Sequence, residues 1–199
     1  MIKKLQALKA KKGFTLVELV VVIAIIGVLA AILVPTMIGV VQDSNITSSD
    51  STANQIKTQT TTFFTKMDAA KEGLKGTDAT GGKIVFEISG GVWTPSGSTY
   101  GTFGNGNTAK WNGASDPNFD YCKFMADSLR DFKTGTAYVY IKSGACIGVA
   151  VIEGSGASDP GITVTNWDNG SFNFTGSKAG LMQDGTIVGT NPKLQKGAV

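Results

Sequence analysis

Hydrophobic positions along this chain follow three patterns, and each predicts a different element. From Leu19 to Val34, sixteen consecutive residues carry neither a charge nor a polar side chain. Allowing for Pro35 and Thr36, the apolar character holds over Phe14–Val41, 28 residues. As a helix this run measures about 42 Å, enough to cross a hydrocarbon core of about 30 Å. The second pattern begins at Gln42. No glycine or proline occurs before Gly73, and apolar residues recur at Ile46, Ala53, Ile56, Phe63, Met67, Ala70 and Leu74, mostly three, four or seven apart. That is a single helical stripe, opposite a face of Ser, Thr, Asn and Gln. Thr58, Thr60, Thr61 and Thr62 lower helix propensity here, so packing has to hold this half in place. With Gly73 and Gly76 as the stop, one helix is predicted from Phe14 to near Leu74, roughly 90 Å if continuous.

The third pattern is short alternation. Lys83–Ile88, Ala137–Ile141 and Cys146–Ile152 read as strands, with shorter candidates at Ile162–Val164, Ser171–Phe174 and Thr186–Val188. Lys142-Ser143-Gly144-Ala145 reads as a hairpin connection, and Asp168-Asn169-Gly170 as a tight type I′ turn between two strands. Residues 90–115 are rich in Gly, Ser, Thr and Asn and read as a long loop or loose hairpin. Trp93, Tyr100, Phe103 and Trp111 within it either staple the loop to the head or contact outside partners; the first is favoured. Asp116 and Pro117 then open a short helix over 117–133. Its expected buried face is Phe119, Cys122, Ala126, Leu129 and Phe132 or Lys133, with Gly135 as its stop.

Composition narrows the chemistry. The chain has no histidine, which excludes imidazole zinc sites, Ser-His-Asp triads and Cys-His dyads and weighs against an enzyme. The net charge of +3 is unevenly placed: Lys3, Lys4, Lys9, Lys11 and Lys12 all precede Phe14, with no acid among them. The rest carries 13 basic against 15 acidic residues, so no basic patch argues for nucleic acid. Gly101–Gly106 is glycine-rich but lacks the strand, lysine and helix of a phosphate loop. Asp159, Asp168 and Asp184 have no calcium-loop spacing, and turn chemistry accounts for them. No catalytic residue, metal or cofactor is expected. Cys122 and Cys146 form a candidate disulfide, with two buried small hydrophobes as the alternative.

The basic N-terminus orients the apolar helix with residues 1–13 in the cytoplasm. A secretory signal would have a shorter apolar run followed by a small-residue cleavage site, which Ile32-Leu33-Val34-Pro35 does not offer. An ordinary anchor would not explain Glu18, four residues into the run, because a carboxylate in a membrane is costly without a partner. Lys12-Gly13-Phe14-Thr15-Leu16-Val17-Glu18 resembles the cleavage and methylation motif of type IV prepilins and the related pseudopilins. That resemblance implies removal of a leader, residues 1–13, by a prepilin peptidase cutting between Gly13 and Phe14. It implies N-methylation of Phe14, and pairing of Glu18 with the new Phe14 amine of a neighbouring subunit. Pro35 falls where the family commonly carries a helix-kinking proline, and with Gly27 it marks a stretch that either kinks or melts in packed filaments.

The fold implied is α+β: a long N-terminal helix, membrane-spanning in its first half (14–41) and amphipathic in its second (42–75), on an antiparallel β-sheet head (76–199). The function implied is a non-enzymatic subunit of a type IV pilus, serving adhesion, twitching motility or aggregation. Expected partners are further copies in a helical filament, the peptidase and methylase, an assembly platform with its ATPases, and the cytoplasmic membrane before export to the cell surface. A pseudopilin or minor pilin of a secretion or DNA-uptake system is the alternative within the fold. A membrane-anchored surface binding protein is the alternative outside it.

Overall fold

The computed structural model describes residues 13–75, 80–96, 102–103, 109–154, 156 and 158–197. The leader up to Lys12, and Gly76, Tyr100 and most of Gly101–Gly106 from the expectations above, lie outside them. Contacts divide the chain into two units, Met1–Asp43 and Ser44–Val199. One helix, α1 (Leu16–Ala69), contributes to both. In the first unit its apolar residues are exposed around the whole circumference, from Leu16 through Val41. A helix apolar on every side is built to be covered by something other than water.

In the second unit α1 buries Ile46, Ser49, Ala53, Ile56, Thr60, Phe63, Phe64 and Met67, three or four residues apart except for the adjacent Phe63 and Phe64. The predicted stripe is present with Ser49, Thr60 and Phe64 added, and without Ala70, which is exposed, and Leu74, which lies on β1 (Leu74–Lys75). The helix ends at Ala69, short of Gly73, and is closed by Lys71. Lys71 takes a left-handed φ of 61°, its N–H donates to Asp68 O (2.9 Å), and Glu72 N–H donates to Met67 O (2.7 Å). These paired bonds cap the last carbonyls as a Schellman motif.

The stripe packs on a five-stranded antiparallel sheet. Its members are β2 (Gly82–Ser89), β3 (Val92–Ser96), β5 (Thr134–Lys142), β6 (Ala145–Glu153) and β8 (Gly189–Asn191), in the order β3-β2-β5-β6-β8. Between β3 and β5, β4 (Thr102–Phe103) pairs with β1. The β5–β6 connection is the predicted hairpin, with Ser143 and Gly144 at φ 51° and 80°. Here alternation does not mean one wet face. Ile84, Phe86, Ala137, Val139, Ile141, Val149 and Val151 join the core under α1. Tyr138, Tyr140, Ala150 and Ile152 face a second core with Ile162, Phe174, Val188 and Leu194 from the C-terminal segment.

That segment departs most from expectation. Val164–Asn169 is a short helix, α3, and Gly170 (φ 67°) is its left-handed C-cap, so Asp168-Asn169-Gly170 is not a hairpin turn. Ile162–Val164 is not a strand. Ser171–Phe172 (β7) pairs in parallel with β9 (Gln195–Lys196), and Ile187 makes only a bridge to Leu181. The second short helix is also split. Asp116 and Pro117 open a 3-10 turn, Pro117–Phe119, and Asp120 then takes an extended conformation and caps α2 (Tyr121–Ser128). Tyr121, Cys122 and Met125 are its buried residues, the Leu129 that follows it is buried too, Phe119, Ala126 and Phe132 are half-buried, and Gly135 belongs to β5.

Candidate functional site

The residues ahead of α1 are organised by Thr15 and Glu18. Gly13, Phe14 and Thr15 are non-helical, and Phe14 is 83% exposed. Among the described residues, no atom outside the adjacent chain lies within 4 Å of where a Gly13 side chain would begin. Helix starts leave backbone N–H groups without partners, and here a reciprocal capping box takes two of them. Thr15 Oγ1 accepts from Glu18 N–H (3.2 Å), while Glu18 Oε2 accepts from Thr15 N–H (2.8 Å) and from the Thr15 hydroxyl (2.8 Å). The bonds fix the first helical residue at Leu16 and leave the Gly13–Phe14 peptide outside the helix. Sequence reasoning singled out Glu18 but not Thr15, although Thr-x-x-Glu before an apolar run is a capping-box signature.

Gly27 and Pro35 both lie inside continuous helix. Pro35 has no N–H to give the carbonyl of Ala31. One residue on, the Thr36 hydroxyl donates to Leu33 O (2.8 Å).

The remaining candidates lie in the second unit. Cys122 and Cys146 are free thiols, and the candidate disulfide between them is not formed. Each is held by its own element: Cys122 is buried on α2, and the Cys146 thiol at the start of β6 donates to Gly148 O (3.7 Å). Burial pushes both thiols up to about 12, so neither is a thiolate at neutral pH.

Trp93, Phe103 and Trp111 point inward and form an aromatic cluster with Phe63, Phe64, Phe86 and Tyr121. Phe103 and Trp111 centroids are 4.6 Å apart, Phe86 and Tyr121 4.9 Å. These aromatics staple the 90–115 region to the head, in line with the favoured reading. Tyr121, at the centre, shares a 2.7 Å hydrogen bond with Thr60 of α1.

The three aspartates considered for calcium each have a protein partner. Asp159 pairs with Lys83, and Asp168 with Lys142 (2.7 Å). Asp184 accepts from Thr186 N–H (2.9 Å), which lowers its carboxyl below the usual range.

Two family models match the chain. The prokaryotic N-terminal methylation motif matches residues 8–34, and a domain of unknown function (DUF5021) matches residues 46–195. The chain is also 31% identical over 105 residues to the type IV narrow pilus major component PilA5 of Thermus thermophilus, covering 82% of that protein and 53% of this one. This chain belongs to the type IV pilins. Fimbrial proteins of Pseudomonas aeruginosa and Moraxella nonliquefaciens match as well. Identity is 45% over 51 residues with the first and 36% over 74 with the second, spanning 33% and 48% of their lengths and 26% and 34% of this pilin. No solved structure is significantly similar to the chain. The methylation motif therefore falls on the capped start of α1, and the domain of unknown function on the two-core head.

Proposed function

We propose that this pilin is a structural subunit that polymerises into an extracellular pilus after a prepilin peptidase removes residues 1–13. The observation that carries this is the first unit: an apolar helix exposed on all sides, begun by a capping box at Glu18, with the Gly13–Phe14 bond outside the helix just before it. Apolar surface of this extent is stable only under cover, first lipid and then other copies of the same helix. The peptidase hydrolyses the Gly13–Phe14 bond, and Phe14 becomes the N-terminal residue and the site of methylation. In the filament Glu18 pairs with the Phe14 amine of a neighbour, which neutralises two charges that would each be costly alone.

Gly27–Pro35 is the stretch that loosens as the helices pack, since one residue lacks a donor and the other favours disorder. An assembly platform and its ATPases extract the subunit from the cytoplasmic membrane. Adhesion, motility or aggregation then belongs to the filament.

The mass of the N-terminal peptide from surface filaments tests the reading. It should begin at N-methyl-Phe14, and recovery of surface chains retaining Met1 would overturn it in favour of a plain membrane anchor. In sheared surface material the chain should be the dominant protein; a trace amount would place it among minor pilins or pseudopilins. Glu18→Ala should lose its leader normally, because Thr15 Oγ1 can still accept from the backbone N–H at position 18. It should make few or no filaments by electron microscopy.

A further inference from the structure

Resting on that reading of Glu18, we infer that Thr15 is a positioning residue for assembly: its hydroxyl holds the Glu18 carboxylate folded back over the helix start, ready for the amine of a second copy. Side chains on a helix lean toward its N-terminus, so Glu18 at the third helical position already points toward Phe14. Thr15 then locks it. The hydroxyl accepts from Glu18 N–H at 3.2 Å and donates to Oε2 at 2.8 Å, and Thr15 N–H donates to the same oxygen at 2.8 Å.

Two consequences follow from the bond pattern. Before assembly, the carboxylate is not an isolated charge at the edge of an apolar helix, because two donors of its own chain stabilise it. Among the described residues both donated protons fall on Oε2, which leaves Oε1 as the oxygen for an incoming ammonium group. The capping box can therefore persist while the inter-subunit pair forms, and the partner meets an oriented carboxylate rather than a mobile one.

Helix capping and carboxylate positioning can be separated by choice of residue at 15. Glycine is about as good an N-cap as threonine but has no hydroxyl; serine keeps both functions. The measurement is the fraction of mature subunit found in sheared filaments rather than in membranes, with leader removal followed on the same samples. Thr15→Gly should lose its leader as the wild type does and show a filament fraction lower by about tenfold, the usual worth of one hydrogen bond to a charged group. Thr15→Ser should stay within about twofold of wild type.

Normal assembly of Thr15→Gly beside a defective Glu18→Gln overturns the role of Thr15 and leaves that of Glu18 standing. A retained leader in Thr15→Gly also overturns it, by placing the work of the hydroxyl at cleavage. Normal assembly of Glu18→Gln removes the underlying reading, and this inference with it.

Discussion

Asp120 is fully buried, and its carboxylate is surrounded mainly by backbone donors. It accepts from Gly113 N–H (2.6 Å), Ala114 N–H (3.0 Å) and Lys123 N–H (3.0 Å), with the Lys123 ammonium 4.0 Å away. One side chain thus caps α2 and fastens the loop that carries Trp111. Asp120→Ala leaves three donors without their acceptor and should cost about 3 kcal/mol or more. Urea unfolding of the detergent-solubilised pilin, followed by tryptophan fluorescence, reads this directly, since Trp93, Trp111 and Trp167 all lie in the second unit. An unchanged midpoint would show that the loop is held elsewhere. Thr60→Val strands the buried Tyr121 hydroxyl and should cost about 1–3 kcal/mol in the same assay. Neither role was legible beforehand. Asp120 sits where a cap could be guessed, but the carboxylate's two bonds to residues six and seven positions earlier depend on a loop conformation that local pattern does not encode.

At the scale of elements, the ends of helices decided most of the differences. Asn-Gly favours a left-handed backbone whether it closes a hairpin or a helix. After Asp168 it closes a six-residue helix, too short for periodicity to distinguish from a strand. At the end of α1 the left-handed position falls on Lys71, where a side chain is strained. Lys71→Gly removes that strain, partly offset by the greater freedom of glycine when unfolded, and should stabilise the second unit by up to about 1 kcal/mol. A lowered urea midpoint would mean that the Lys71 side chain contributes more than its backbone costs. Close approaches mattered too. Any side chain at Gly148 would overlap the Trp167 ring, so β6 and α3 meet only because that strand position is bare.

At the scale of the molecule, the sheet is covered on both sides and most of its titratable core groups are kept neutral. Burial drives Cys122, Cys146 and Tyr138 up to about 12, and Tyr121 and Tyr140 up as well. A group with a raised folded pKa keeps its proton longer when folded, so the unfolded chain binds fewer protons above its own pKa and gains stability there. Stability of the second unit should therefore hold up to about pH 9 and fall between about pH 9 and pH 12. A midpoint that stays level to pH 12 would contradict the burial of these groups. Burial of Cys122 predicts that alkylating agents at pH 8 leave it unmodified in the native pilin, with the half-buried Cys146 reacting sooner, and label both after unfolding. Failure to label them after unfolding without reductant would reveal a disulfide.

The N-terminal unit was readable from sequence because its properties are those of near neighbours. A run of apolar residues, and the motif formed by Gly13, Phe14 and Glu18 at fixed spacing, need no distant partner to be recognised. The amphipathic stripe of α1 and the β5–β6 hairpin were legible for the same reason, their contacts being periodic or adjacent. Only the tertiary structure decided that the C-terminal segment covers the second face of the sheet, that Cys122 and Cys146 stay apart in their own elements, and that Trp93, Phe103 and Trp111 turn inward. Each of these joins residues far apart along the chain. Such contacts depend on which loops close and what space packing leaves, and neither is written in a local pattern of polar and apolar positions.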